Sequence, residues 1–179
     1  SKKKYDVGGN VVKVESTHSK GMRNNNPGNI WAIPSTLSYH GVIGTDSGSE
    51  HEEAFLIFDT MKHGLRAMAH NLRKNYNKKS IKEIVDKYSR TDRTAYKEYL
   101  ADKMKTYNIK ETDKLDLDNE VLLKDLMKNM ISFETTPEEG KEISDSTILN
   151  AINMPKNMPD SRFQYPPIPK EKPKKMEGG

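Results

Sequence analysis

Apolar residues recur at helical spacing from residue 60 onward, and they predict five helices. The apolar faces run over 61–76, 81–88, 96–107, 123–130 and 148–152. The last four faces are each preceded by a residue type that favours a helix N-cap: Ser80 for the second, Asp92 for the third, a position near Asp118 for the fourth, and Ser144 or Asp145 for the last. Gly64 is an expected weak point in the first helix.

The pattern before residue 60 is that of short strands and turns. Apolar and aromatic residues cluster at 29–33, 39–43 and 54–58, and Gly41, Gly44 and the polar stretch 45–49 separate these clusters. A small sheet followed by several helices predicts an α+β fold rather than alternating strands and helices. We expect one folded domain over 21–152.

The two ends of the chain differ from this domain. Residues 1–20 predict an extended basic arm with one short strand at 10–15. Residues 153–179 predict an extended tail rich in Pro and Lys, because they hold six of the nine prolines and favour polyproline II. Such a tail suits a strap laid across a partner surface, and an unattached end is the alternative.

Charge is distributed unevenly along the 179 residues. The net charge is +4, but 1–20 and 153–179 each carry +3, which leaves −2 on the domain between them. A basic groove for nucleic acid belongs on the folded part, so we predict no nucleic-acid partner. The basic ends suit an acidic protein partner or a polyanion.

Three classes of protein are disfavoured by what the sequence lacks. There is no cysteine, which excludes disulfides, a thiol nucleophile and a cysteine-based zinc site. No apolar run approaches the roughly 18 residues of a membrane span, so we expect no membrane insertion. The N-terminal residues do not resemble a secretory signal, and synthesis in a cytoplasm is expected.

The segment 22–33, MRNNNPGNIWAI, is the most informative stretch of the chain. It places Asn24, Asn25, Asn26 and Asn29 beside Trp31, the only tryptophan. Amides donate and accept hydrogen bonds at once, and an indole covers the apolar face of a pyranose ring, so this combination suits a sugar site. The alternative is a tight turn whose asparagines bond to the main chain and adopt left-handed conformations.

A carboxylate continues the apolar face of the fourth helix. Leu123, Leu126, Met127 and Met130 form that face, and the next position in the series is Glu134. The helix, predicted over 119–133, ends there because Pro137 follows shortly. Burial and the negative end of the helix dipole both raise the pKa of a carboxyl group, as a general acid near neutral pH requires. In the alternative, the helix frays and Glu134 reaches water.

A second acidic group consists of Glu50, Glu52 and Glu53, with His51 among them. Paired carboxylates cleave glycosidic bonds, at about 5 Å separation for retention and roughly 6.5–9.5 Å for inversion. A solvated loop is the alternative.

His63 and His70 lie seven residues apart, which is not the usual helical metal spacing, so we predict no metal. The chain has no phosphate loop, no dinucleotide-binding glycine motif and no serine-hydrolase elbow, so we predict no cofactor.

Residues 21–30, GMRNNNPGNI, resemble the G-[IM]-R-N-N-N-P-G-N-I opening of a family of phage virion-associated peptidoglycan lysins. Further motifs of that family follow in order: F-x-x-F at 55–58, G-[IL]-R-A at 64–67, T-[IV]-x-x-I-[IV] at 80–85, D-T-x-x-Y at 92–96 and H-E-N-G at 133–136. The first match is specific, the others are weaker, and together they cover 21–152.

The resemblance implies a lysozyme-like or lytic-transglycosylase-like domain, carried in the virion, that cuts the cell-wall glycan during phage entry or lysis. It implies Glu134 as the catalytic acid, with Glu53 in the cleft as a second carboxylate. The implied substrate-binding residues are the four asparagines of the motif, Trp31 and Tyr39. The implied partners are peptidoglycan strands and, through the terminal arms, other virion proteins.

The sequence departs from the family at the residues around the acid, where Phe133, Thr135 and Thr136 replace His, Asn and Gly. This departure keeps a second function open, that of a structural virion protein whose lysozyme-like domain is weakly active or inactive. A murein peptidase is a third alternative, because similar polar clefts host different cuts.

Overall fold

A computed structural model describes residues 2–5, 11–46 and 54–155 of the chain. The fold is α+β, as predicted. Strand β1 (Lys2–Tyr5) pairs antiparallel with β2 (Val11–Val14), and β3 (Val42–Asp46) pairs antiparallel with β4 (Phe55–Phe58). The second pair contains a bulge between Val42 and Gly44. The predicted strand at 10–15 corresponds to β2.

Helices make up most of the remaining described chain. In chain order they are α1 (Lys20–Arg23), α2 (Met61–Tyr76), α3 (Ile81–Tyr88), α4 (Arg93–Lys103), a 3-10 turn at Lys105–Tyr107, α5 (Glu120–Glu134), α6 (Pro137–Lys141) and α7 (Asp145–Ile152).

The five predicted helices are all present, with differences at their ends. Ser80 caps α3 through a reciprocal capping box with Glu83, and Ser144 caps α7. The cap of α5 is Asn119, whose side chain accepts from two main-chain amides. The third helix is shorter than predicted, because α4 ends at Lys103 and 105–107 continue only as a 3-10 turn.

The strand predictions need correction. Only 54–58 is close to its predicted position, as β4, while the strand predicted at 39–43 begins at Val42. Residues 29–33 form no strand, although Trp31 makes an isolated bridge to Phe55. Their main chain still follows β4, since the Leu56 amide donates to the Ile30 carbonyl oxygen at 3.0 Å. This segment is held by turn contacts, so its apolar content does not produce a regular ladder.

Gly64 is a packing requirement rather than a weak point of α2. A Cβ atom at this position would lie 1.7 Å from the main-chain oxygen of Asn25. The missing side chain therefore lets α2 approach the 24–29 turn at main-chain contact distance. The turn is thus seated directly on the longest helix of the described chain, and the helical core supports it.

Candidate active site

The 24–29 turn is built by its own asparagine side chains. The Asn25 amide donates to the Phe58 carbonyl oxygen at 2.9 Å. The Asn26 amide donates to the carbonyl oxygens of Ile30 and Leu56, both at 3.0 Å, and its own oxygen accepts from the Ile30 amide at 2.9 Å. These bonds replace ladder bonds and satisfy main-chain groups that burial would otherwise leave unpaired.

The prediction that Asn24, Asn25 and Asn26 bind sugar does not fit these contacts. Asn25 and Asn26 are almost completely buried, and Asn24 is buried with its amide donating to the Asp46 carboxylate at 3.1 Å. Asn25 also has a positive φ of 54°, a conformation that asparagine tolerates. The alternative interpretation, a tight turn bonded to the main chain, describes Asn25 and Asn26, whose amides donate to main-chain oxygens.

Asn29 is the member of the motif that reaches the candidate acid. Its side-chain amide donates to both the carbonyl oxygen and the Oε1 atom of Glu134, each at 3.1 Å. Gly21 permits this arrangement, because a Cβ there would lie 2.8 Å from the Asn29 Oδ1 atom. The motif therefore positions one amide against the carboxyl group, and its other asparagines hold the turn in place.

Glu134 is the last residue of α5 and is only partly exposed. Burial raises the pKa of its carboxyl group to about 7, while hydrogen bonding from Asn29 and the nearby Tyr96 hydroxyl opposes the rise. No described carboxylate is among the groups that shift this pKa. Glu134 therefore exchanges a proton near neutral pH and keeps some contact with solvent.

Tyr96 lies beside Glu134 in the core. Its side chain is fully buried, and its hydroxyl has no hydrogen-bond partner of normal geometry among the described residues. Burial, reinforced by the charge of Glu134, raises the pKa of Tyr96 well above 10. The tyrosine thus stays protonated, and its hydroxyl is available to donate when Glu134 ionises.

The residues that depart from the family pattern have structural roles around this acid. Phe133 stacks on Tyr96 with ring centroids 4.0 Å apart. The Thr135 hydroxyl donates to the Ile131 carbonyl oxygen at 2.6 Å, and Thr136 caps α6. Phe133 therefore holds Tyr96 from one side, and the threonines end one helix and begin the next.

A groove of about 320 Å³ lies beside the turn. Trp31, Tyr76 and Tyr88 give it aromatic lining, and Asn71 and Asn75 add two amides from α2. The Trp31 ring is partly exposed and stacks on Phe55 at 4.4 Å between centroids. The groove therefore combines aromatic and amide groups, as a sugar site requires, but both of its amide side chains come from α2 rather than from the 24–29 turn.

Tyr88 connects this groove to the acid. Its hydroxyl donates to the Gly28 carbonyl oxygen at 2.5 Å, one residue before Asn29. Burial, and secondarily the charge of Glu134, raises the pKa of Tyr88 well above 10. The groove and Glu134 therefore belong to one neighbourhood, joined through the turn.

The remaining predicted site residues are placed as follows. Tyr39 is buried, and its hydroxyl donates to Asn71 Oδ1 at 3.1 Å, so it supports the groove from behind. Glu53, with Glu50 and Glu52, lies outside the described residues. His63 pairs with Asp59 at 2.6 Å, and His70 packs edge-on against Tyr39.

Four residues of the site were missed in the sequence. The sequence pattern places Tyr96 and Tyr88 on apolar helix faces and does not indicate a role in the site. Asn71 and Asn75 lie four residues apart on the predicted helix, and this spacing places two amides on one helical face, which was a usable signal.

Within the described ranges, no cluster of three or more His, Asp or Glu side chains is arranged to hold a metal ion. No described helix is long and apolar enough to cross a bilayer. No protein-family model matches the chain, and no curated protein matches it significantly.

Proposed function

We propose that this protein is a virion-associated, lysozyme-like enzyme that cleaves the glycan of peptidoglycan, with Glu134 as its general acid. The observation that carries the proposal is a partly exposed carboxyl group with a pKa of about 7, held by the Asn29 amide at the end of α5. Such a group is protonated at the start of a reaction near neutral pH and is a competent base afterwards. The family resemblance supplies the substrate.

The chemistry needs one proton to leave and return. Protonated Glu134 donates its proton to the glycosidic oxygen as the C1–O bond breaks, and the ring carbon develops positive charge. The resulting carboxylate then accepts a proton from the nucleophile that attacks C1. An attack by water gives a reducing sugar, and an attack by the 6-hydroxyl of the same sugar gives a 1,6-anhydro ring and needs no second carboxylate.

Asn29 has a defined part in this cycle. Its amide is a hydrogen-bond donor, so it stabilises the carboxylate more than the neutral acid, and it opposes the effect of burial on the pKa of Glu134. It also bonds the main-chain oxygen of the same residue, which fixes the side chain relative to the helix end. We expect the carboxyl group to be held in one orientation.

The test is product analysis on purified peptidoglycan by mass spectrometry, with wild type and Glu134→Gln. Glu134→Gln keeps the shape of the side chain and removes the proton. Glu98→Gln is the matched control, because Glu98 is exposed on α4. We expect cleavage by wild type and by the control and none by Glu134→Gln; near wild-type cleavage by Glu134→Gln would reject the assignment. Anhydro-muropeptides indicate a lytic transglycosylase, and reducing ends indicate a muramidase or glucosaminidase.

A structural virion protein is the second candidate, and the packing of Phe133 on Tyr96 favours it, because an aromatic core contact stands where the family has a histidine. No products from folded wild-type protein would support this function.

For either function, we propose that the terminal arms bind other virion proteins. Deletion of 156–179 removes no described residue. We expect this deletion to reduce incorporation into particles, and unchanged incorporation would contradict the role of the tail.

A further inference from the structure

The carbonyl oxygen of Gly28 is held by a hydroxyl from α3. Tyr88 is 5% exposed, and its hydroxyl donates to this oxygen at 2.5 Å. No other group among the described residues donates to the same oxygen. A Cβ atom at Gly28 would lie 2.7 Å from the Tyr88 hydroxyl oxygen and 2.8 Å from the Met68 Sδ atom. The main chain at Gly28 is therefore enclosed between α2 and α3, and Tyr88 is its hydrogen-bond anchor.

Asn29 follows directly in this turn. Its φ is 49°, in the left-handed region, and its main-chain amide donates to the Asn26 carbonyl oxygen at 2.9 Å. The Gly28 carbonyl group and the Asn29 nitrogen belong to one planar peptide unit, so a hydrogen bond to the first restricts the second. From this position the Asn29 side chain reaches the Oε1 atom and the carbonyl oxygen of Glu134, each at 3.1 Å. One rigid peptide and one side chain thus connect Tyr88 with Glu134.

We infer that Tyr88 is a positioning residue for the general acid, because its hydroxyl holds the Gly28–Asn29 peptide where the Asn29 amide bonds to Glu134. This inference rests on the proposed function for the reaction that Glu134 performs, but the positioning itself is measurable without a substrate. Among the described residues, the Tyr88 hydroxyl bonds only to Gly28. Its effect on Glu134 therefore passes through the turn.

The contact between Asn29 and Glu134 is sensitive to small displacements. At 3.1 Å, both bonds lie near the long end of the usual range of N–H···O distances, about 2.7–3.2 Å. Without the Tyr88 hydroxyl, the Gly28 oxygen has no described donor, and because an unpaired buried oxygen is unfavourable, we expect the turn to shift. A shift of about 0.5 Å takes the Asn29 amide beyond hydrogen-bond distance.

The groups around Glu134 determine the sign of the expected change. From α4, the Tyr96 hydroxyl faces the carboxyl group and, like Asn29, lowers its pKa, and no described charged side chain is among the groups that shift this pKa. From α3, Tyr88 stays protonated, because burial holds its pKa well above 10. Loss of the Asn29 donor destabilises the carboxylate relative to the acid, so it raises the pKa of Glu134. Entry of water around the carboxyl group would lower the pKa instead.

The pKa of Glu134 is measured by NMR titration of its side-chain carboxyl carbon in wild type, Tyr88→Phe and Tyr107→Phe. Tyr107→Phe is the matched control, because Tyr107 also donates its hydroxyl to a partner, Asp125, but is not among the groups that shift the pKa of Glu134. We expect Tyr88→Phe to raise the pKa of Glu134 by about 0.5–1 and Tyr107→Phe to leave it unchanged. Equal changes in both variants, or an unchanged or lower pKa in Tyr88→Phe, would overturn the inference.

A double-mutant cycle tests whether Tyr88 acts through Asn29. Asn29→Gly removes the side-chain amide and accepts the positive φ, and it should raise the pKa of Glu134 by about 1–2. In that background, Tyr88→Phe should add no further rise. Additive rises would show that Tyr88 acts by another route and would overturn the inference. An unchanged pKa in Asn29→Gly would overturn it without any change at Tyr88.

Activity separates this inference from the proposed function. If Glu134 is the acid, the alkaline limb of kcat/KM against pH on peptidoglycan should move upward with the pKa in Tyr88→Phe. A raised pKa in Tyr88→Phe, with no cleavage by wild type, would retain the positioning of Glu134 and reject the proposed function. Cleavage by wild type with no change of pKa in Tyr88→Phe would retain the function and overturn the inference.

Discussion

The raised pKa of the Glu134 carboxyl group predicts a pH dependence of stability that does not involve any substrate. Its pKa is about 7 in the folded protein and 4.5 in an unperturbed chain. Between these values the folded state binds more protons than the unfolded state, so the free energy of unfolding falls as pH rises. The contribution of Glu134 is fully present below pH 4.5 and is lost as pH rises through 7. Glu134→Gln removes this dependence.

The magnitude follows from the two pKa values. At about 1.36 kcal/mol per pKa unit, the difference corresponds to about 3 kcal/mol. Because part of the side chain reaches water, a discount to about 1.5–3 kcal/mol is appropriate. For a chain of this length, that is a difference of roughly 3–12 °C in Tm. The free energy of unfolding of Glu134→Gln minus that of wild type should therefore be larger at pH 8 than at pH 4 by this amount.

The assay is urea unfolding of wild type, Glu134→Gln and Glu98→Gln at several pH values from 4 to 8. The difference between Glu134→Gln and wild type isolates one group, because the other titrating residues are common to both proteins. Glu98→Gln should follow wild type, since Glu98 is exposed. A difference that does not change between pH 4 and 8, or that changes in the opposite direction, would refute the assignment of a raised pKa to Glu134.

Two further substitutions test the packing and the acid. Gly64→Ala should destabilise the fold by about 2–4 kcal/mol in thermal unfolding, because its Cβ would overlap the main-chain oxygen of Asn25. Gly44→Ala is the control, because a Cβ at Gly44 would meet nothing nearer than 4.0 Å, and equal losses of stability would contradict the argument. Tyr96→Phe removes a donor from the ionised form of Glu134, so the pKa of that carboxyl group should rise further in an NMR titration; an unchanged or lower value would show that the hydroxyl does not act on it.

The helical part of the fold was predictable because its apolar faces and its caps agree. Ser80 caps α3 as predicted, and Ser144 is the one of the two predicted candidates that caps α7. The two shortest helices, α1 and α6, were missed, because four or five residues are too few for a helical period to be recognised. The prediction of a strand at 29–33 is wrong because apolar content alone does not distinguish a ladder from a buried turn.

The site was predictable only in part, for a reason specific to amides. Glu134 was placed correctly at the end of its helix, since the apolar period and Pro137 both locate it. The asparagines were ambiguous because an amide that binds sugar and an amide that binds main chain look identical in sequence. Their partners separate them: the Asn26 amide donates to two main-chain oxygens, whereas Asn71 lines the groove. That distinction depends on contacts between distant segments.

Asn29 and Glu134 are separated by 105 residues, and this separation has a consequence for synthesis. While the chain is being made, the first partner leaves the ribosome long before the last turn of α5 exists, so Glu134 begins as an ordinary, solvated carboxyl group. Contacts between His18 and Glu142, and between the Ser19 amide and Glu139, close the same long loop. Contacts that close long loops form slowly, because the chain loses the entropy of the loop before these contacts can stabilise it. We therefore expect the raised pKa of Glu134 to develop only when this long loop has closed.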